Sequence, residues 1–401
     1  MAKRVLLVNK FYYPRGGDCI VALNTEALLR DNGVDAEIFA MDFPQNLTAR
    51  YGNLFPGEVK FSGGMGNQLR ALRRTLGQGD VRSRFGAVLD EFRPDVVHLH
   101  NIHSYLSPVV GELAHRRGIR VVWTLHDYKL LCPRYDCLRD GKPCEKCHQG
   151  TKSNVITHKC MKGSLPASIV AWLEAMKWNR HTLEKFTDTF VCPSQFMADK
   201  MQAGGFNPGK IKVLNNFLDP DKLRLYQEMG RGGINRNYYC YVGRLSHEKG
   251  VADLLDVAAR LPYSLKVAGG GPMDDELRAR YASCGNIEFL GVLDAQGVAR
   301  LLSASRLSVV PSQCYENNPL SVIESLCAGT PVAGAQIGGI PELIDSQCGI
   351  TFAPFDTDAM SAAIQAAMTR EWDHDVIAHN ALQRFSPTTH LHTLLNDIYR
   401  L

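Results

Sequence analysis

Short apolar runs recur along this chain, each followed by a longer amphipathic segment, and that alternation confines it to parallel sheets covered by helices. In the first half the runs are Val5–Asn9, Ala36–Ala40, Asp95–His100, Val121–His126 and Thr189–Ser194. In the second half they are Tyr238–Gly243, Ser264–Gly269, Ile287–Leu290, Leu307–Ser312, Pro331–Ala335 and Gly349–Phe352. Each set is enough for an open α/β sheet of its own. At 401 residues the chain is too long for one ordinary domain, so two are expected. Turn formers and a proline break the pattern at Asn215–Asp221, and the polar, glycine-bearing stretch Met229–Asn237 leads into the second set. The expected division is therefore 1–218 and 219–385, with 386–401 a helix that packs back on the first domain.

Composition excludes several classes. A hydrophobic fraction of 45% and a charged fraction of 21% are those of a globular protein, and a net charge of +4 is too mild to argue for nucleic acid. The run Val5–Val8 is too short for a signal-peptide core, and no stretch approaches the roughly 20 apolar residues that span a bilayer. A cytoplasmic protein is expected, in which the 12 cysteines are reduced thiols or metal ligands.

The most informative stretch is Pro311-Ser312-Gln313-Cys314-Tyr315-Glu316-Asn317-Asn318-Pro319-Leu320, ending in Glu324. A buried strand gives way to a polar loop, and a helix is expected from Pro319 with Asn318 as its cap and Gly329 as its stop. Ligands of open α/β sheets bind beyond the carboxyl ends of strands, where helix N-termini favour anions. Such a site suits a diphosphate, with Glu324 accepting hydrogen bonds from a ribose diol and Glu316 touching a transferred sugar. After another strand, Gly243-Arg244-Leu245-Ser246-His247-Glu248-Lys249-Gly250 sets two cations five residues apart, a bidentate fork and a point charge, both suited to phosphate. Gly269-Gly270-Gly271-Pro272 and Gly338-Gly339-Ile340-Pro341 end two further strands with turns that permit close approach. Taken singly, each has a bland reading as a charged or glycine-bearing surface turn.

Together, in this order and spacing, these motifs resemble those of the family 4 retaining glycosyltransferases. The resemblance covers nearly the whole chain and implies the GT-B fold, two Rossmann-like domains facing each other across a cleft. It implies that Arg244 and Lys249 bind the diphosphate of a UDP- or GDP-sugar and that Glu324 holds the ribose. Glu316 then meets the sugar, with backbone from Gly270, Asn318, Pro319 and Leu320 close by. In the first half, Tyr12-Tyr13-Pro14-Arg15-Gly16-Gly17 precedes a helix closed by Gly33. It is not the dinucleotide fingerprint, so no nicotinamide cofactor follows. The resemblance implies that Gly17, beside Gly16, faces the donor, and that His126 lies by the transferred sugar. It also implies same-face attack without a metal, the acceptor hydroxyl passing its proton to the departing phosphate.

Two features stand apart. Cys132, Cys137, Cys144, Cys147 and Cys160 fall close together, and Cys144-x2-Cys147 is a ligand pair of the kind zinc sites use, which Cys132, Cys137 or Cys160 could complete, so a structural zinc on Cys132, Cys144, Cys147 and Cys160 is expected. Reduced thiols are the simpler alternative. Lys60–Arg84 carries Lys60, Arg70, Arg73, Arg74, Arg82 and Arg84 against Asp80. Leu165–Trp178 puts Ile169, Trp172, Leu173 and Met176 on one helical face. Basic and aromatic residues together suit anionic headgroups and a lipid-linked acceptor, although a solvated helix face would look the same. The competing functional readings are a soluble synthase acting on a small acceptor or growing glucan, and a sugar-nucleotide-binding protein without turnover.

Overall fold

The computed structural model describes residues 3–61, 65–148, 150–229 and 236–401. Most of the stretch expected to lead into the second domain, residues 230–235, lies outside them, as do residues 62–64 of the basic segment. The chain divides into two compact units. One comprises Met1–Cys137, Cys144–Leu214 and Leu391–Leu401; the other comprises Leu138–Pro143 and Asn215–His390.

The first unit is built on a sheet of six parallel strands: β1 Arg4–Val8, β2 Asp35–Phe39, β3 Val96–Leu99, β4 Arg120–Thr124, β5 Thr189–Cys192 and β6 Ile211–Val213, in the order β2-β1-β3-β4-β5-β6. Five of these follow the apolar runs. The sixth has no such run, because Lys212 and Val213 are exposed on an edge strand. The central strands are apolar and β-branched, as burial on both faces requires. The polar side chains inside them are satisfied: His98 Nδ1 is 2.6 Å from Tyr399 Oη, and its Nε2 is 2.7 Å from Thr124 Oγ1.

That tyrosine comes from the end of the chain. The helix expected over 386–401 is an α-helical turn, Pro387–Thr393, continued by a wider π-helical stretch, Leu394–Tyr399. Arg120 Nε donates to Ile398 O at 2.9 Å, so strand β4 and the chain's end are tied together. The divisions fall after Leu214 and His390 rather than after 218 and 385. Leu218 N donates to Phe385 O at 3.3 Å, and His390 Nδ1 is 3.1 Å from Asn215 O, which holds both segments in the second unit.

The second unit repeats the plan with β7 Tyr238–Val242, β8 Ser264–Ala268, β9 Ile287–Gly291, β10 Leu307–Val310, β11 Val332–Ala335 and β12 Gly349–Phe352, in the order β9-β8-β7-β10-β11-β12. Its core contains Leu254, Leu265, Val309, Val322, Ile323 and Ile364, all essentially excluded from solvent. In each sheet the chain starts in the middle, runs out to one side and then returns to build the other. The reversal lies between β1 and β3 in the first sheet and between β7 and β10 in the second. At such a point neighbouring connections leave on opposite faces and a crevice opens beyond the carboxyl ends.

Candidate functional site

The crevice of the second sheet is flanked by the loops after β7 and β10, the two that carry the expected cations and carboxylates. The helix after β10 runs Leu320–Cys327, with Pro319 at its N-cap and no side-chain cap. Asn318 does not cap it. Its Oδ1 accepts from Asn216 N and its carbonyl from Asn216 Nδ2, both at 2.8 Å, because the joining segment lies alongside this loop and takes the amide first. The first-turn amides of the helix thus lack the carboxylate or hydroxyl that usually covers them.

Glu324 sits in this helix at 8% exposure, where the Lys222 ammonium donates to its Oε1. Lys222 belongs to the helix Pro220–Glu228, whose cap, Asp219, accepts from Lys222 N at 2.9 Å. Across the crevice, Lys249 Nζ donates to Glu316 Oε1 at 2.6 Å, and Ser312 Oγ donates to the same oxygen at 2.7 Å. Burial works to lower the Lys249 ammonium, but the Glu316 carboxylate outweighs it and holds the ammonium above its ordinary range. Arg244 is exposed. Burial would raise Glu248, yet its bond from Ser246, its own amide, Lys249 and Arg244 together bring it below the usual carboxylate range.

The glycines of this edge serve the packing of these loops. Gly338 has φ +61°, and a Cβ there would lie 2.2 Å from Glu316 O; its neighbour Gly339 donates to that same carbonyl at 2.7 Å. Gly269, at φ +138°, would meet Gly243 O at 1.8 Å. Close approach is needed here by one backbone to another, which fixes where Arg244 and Glu316 stand. Gly270 faces Val292 and Asp274.

The reversal in the first sheet gathers a second group. Gly16 and Gly17 open the helix Gly17–Asp31, and a Cβ on Gly17 would meet nothing within 4 Å. Asp18, in its first turn, accepts from Asn101 Nδ2 at 2.8 Å, and Asn101 N donates to Asn9 Oδ1 at 3.1 Å. His126 Nε2 is 2.9 Å from His100 Nδ1, the rings stacked with centroids 5.2 Å apart. Burial pushes His126 down to about 4 despite the attraction of Asp18, so the ring is neutral near pH 7. Burial also raises Asp127, to about 6. Burial would raise Asp18 too, but His126, Lys10 and Asn101 outweigh it and keep the carboxyl below its usual range.

Each unit thus brings expected residues together and adds others. Asp18, His100, Asn101, Ser312 and Lys222 were not singled out from the sequence. His100 and Asn101 directly follow β3, so the carboxyl-end rule that found His126 applies to them equally. Lys222 carried no such signal, since its partner is 102 residues away.

The cysteine segment brings Cys137 in beside the expected residues. The Cys137 and Cys147 thiols hydrogen-bond to the Cys132 sulfur, which lowers Cys132 and raises the two donors. Among the described residues no three His, Cys, Asp or Glu side chains are arranged to hold a metal ion. Cys137 joins Cys132 and Cys147 there, and Cys147 also lies within the field of Cys160. Nearby, a hollow of about 320 Å³ is lined by His103, Lys129, Lys152, Glu174, Trp178 and Arg180. Its Lys129 and Glu174 form a 2.9 Å ion pair. Another hollow, of about 620 Å³, is bounded by Asp95 and Ile119, at the amino ends of β3 and β4, the edge opposite the crevice.

The basic segment is less available than its composition implies. Arg74 is buried and 2.6 Å from Asp80, while Arg84 also pairs with Asp80, Arg82 with Glu112 and Lys60 with Glu58. Arg70 and Arg73 are exposed. On the helix Leu165–Lys177, Ile169 and Met176 are exposed, whereas Trp172 and Leu173 are half-buried against the protein. No helix of the described residues is long and apolar enough to cross a membrane.

Residues 16–222 match the family model Glycosyltransferase Family 4, and residues 230–384 match Glycosyl transferases group 1. The glycogen synthase of Mycobacterium tuberculosis is 28% identical over 320 residues, 76% of this chain and 68% of its own length. Among solved structures, HepE of Anabaena in complex with UDP aligns over 100% of both chains, with a TM-score of 0.64 at 18% identity. The catalytic domain of starch synthase IV from Arabidopsis thaliana, bound to ADP and acarbose, has a TM-score of 0.64 at 14% identity over 100% of this chain and 99% of its own. At those identities the structures speak for the fold alone, which is that of two Rossmann-like α/β domains.

Proposed function

Because the chain belongs to glycosyltransferase family 4, we propose that it is a retaining, metal-independent hexosyltransferase acting from a nucleoside-diphosphate sugar on a glycan or lipid-linked acceptor. The observation that carries this reading is the meeting, at one sheet reversal, of an uncapped helix N-terminus, Arg244, the Lys249–Glu316 pair and Glu324.

The parts divide the donor among them. The diphosphate lies at the helix tip, near Asn318, Pro319 and Leu320, where amides and the helix dipole favour negative charge. Arg244 and Lys249 supply the countercharge that a divalent cation supplies elsewhere. An ammonium has three donors, so Lys249 can keep Glu316 and still reach a phosphate oxygen. Glu324 accepts from the ribose and Glu316 addresses the sugar, with Gly270 backbone beside them. The nucleotides named for HepE and the starch synthase support a nucleoside diphosphate here, carried by a UDP- or GDP-sugar.

In the first unit, the neutral imidazole of His126, held by His100, and the Gly16-Gly17 turn, with open space beside Gly17, are suited to the hydroxyls of a sugar. The bond to the diphosphate breaks as the acceptor oxygen arrives on the same face, and the acceptor proton passes to the departing phosphate oxygen. The hollow beside His103 and Lys129 is a place for the acceptor. The exposed Arg70, Arg73, Ile169 and Met176 support a peripheral contact with anionic lipid, which flotation with phosphatidylglycerol vesicles at physiological salt tests.

Incubation with UDP- and GDP-sugars, followed by assay for free nucleoside diphosphate, tests the reading directly. Release of nucleotide with retention at the anomeric carbon is expected. Tight binding without release would leave a sugar-nucleotide-binding protein, and transfer to small soluble sugars alone would leave a soluble synthase.

A further inference from the structure

Asn216 and Asn318 are 102 residues apart, and so are Lys222 and Glu324. Residues 216–222 are therefore tied to residues 318–324 at both ends. At one end two bonds of 2.8 Å link Asn216 to the Asn318 side-chain oxygen and carbonyl. At the other the Lys222 ammonium grips Glu324 Oε1. The segment is fixed locally as well. Asp219 caps its helix and Pro220 fills the first helical position, so Lys222 projects from a rigid turn. Tyr226, one turn further along the same helix and 1% exposed, also lies within the field of Glu324.

We propose that Lys222 is a positioning residue of the donor site, one that makes the protein select a ribonucleotide. The proposal rests on the reading that Glu324 receives the ribose. A carboxylate that must accept from sugar hydroxyls beside a diphosphate faces two difficulties: it is repelled by the phosphates, and its two oxygens are free to turn. Lys222 answers both. Its charge offsets that of Glu324, and by holding Oε1 it fixes the plane of the group and leaves Oε2 to receive the ribose. The selectivity follows from geometry, since a deoxyribonucleotide leaves an oriented, mostly buried oxygen without its donor.

The test is calorimetric titration with UDP, GDP and ADP and with the 2′-deoxy form of each, for the wild type, Lys222→Met, Lys222→Arg and Glu324→Gln. The wild type is expected to bind the ribonucleotide at least tenfold more tightly than its deoxy form. Lys222→Met should reduce that ratio at least threefold, Lys222→Arg should restore it, and Glu324→Gln should abolish it. A ratio unchanged in Lys222→Met but lost in Glu324→Gln overturns the role of Lys222 and leaves the site intact. A wild type that does not distinguish the two forms, with Glu324→Gln binding as before, overturns the assignment of Glu324 and the proposal with it. Circular dichroism of each variant checks the fold, and Lys222→Arg separates a charge effect from a packing one.

Discussion

Lys249 Nζ stands 2.6 Å from Glu316 Oε1, so the cation expected on the phosphates and the carboxylate expected on the sugar form a single ion pair. Ser312 steadies the same oxygen at 2.7 Å. Substitutions at the two positions should therefore separate binding from chemistry. Lys249→Ala is expected to weaken nucleoside-diphosphate binding by about 1–3 kcal/mol, with a larger loss at low salt. Glu316→Gln should leave that affinity nearly unchanged and lower kcat by about a hundredfold or more. Calorimetry at two salt concentrations, paired with initial rates, reads both.

Glu324→Ala removes a charged acceptor and should weaken donor binding by about 1–3 kcal/mol, as Arg244→Ala should for the diphosphate. Equal affinity of wild type, Glu324→Ala, Arg244→Ala and Lys249→Ala for every nucleoside diphosphate tried would place the donor elsewhere.

Two glycines should respond oppositely to a methyl group. Gly338→Ala puts a Cβ 2.2 Å from Glu316 O at a positive φ, so a loss of roughly 1–3 kcal/mol in stability is expected together with weaker donor binding. Gly17→Ala meets nothing within 4 Å, so the melting temperature should hold while turnover falls. Scanning calorimetry and kinetics on the same preparations distinguish them.

Acid should unfold the first unit partly through His126. With its folded value near 4 against an ordinary 6.5, the unfolded chain takes up a proton that the native imidazole refuses. The stability from the neutral ring is complete above pH 6.5 and is lost as pH falls towards 4, at up to about 1.4 kcal/mol per pH unit. His126→Asn should flatten melting temperature against pH in that window. Asp127, raised from 3.8 to about 6, acts in the other direction: its contribution is present at low pH and lost as pH rises through 6.

What the sequence discloses depends on how far apart cause and effect lie along the chain. Apolar runs mark eleven of the strands of the two large sheets, most of them because burial on both faces demands it locally, and Ile287–Gly291 by its apolar residues although it lies at an edge. Ile211–Val213 escapes because it has three residues, two of them exposed and one a lysine. Asn318 has the right residue type for a cap in the right place, yet Asn216 competes for its amide from 102 residues away. Arg74 reads as one more surface cation until Asp80 and the Gly57 carbonyl are folded around it. Residue types and spacing name Arg244, Lys249, Glu316 and Glu324; only the tertiary fold pairs two of them and brings Lys222 to the fourth.

Because Tyr399 fills the heart of the first sheet at His98, that sheet is not finished when residue 214 leaves the ribosome. It must wait for Tyr399 until the whole of the second sheet has been synthesised. A fragment stopping at residue 214 should be aggregation-prone, whereas the second unit is, apart from Leu138–Pro143, one run of chain, Asn215–His390, that can mature first.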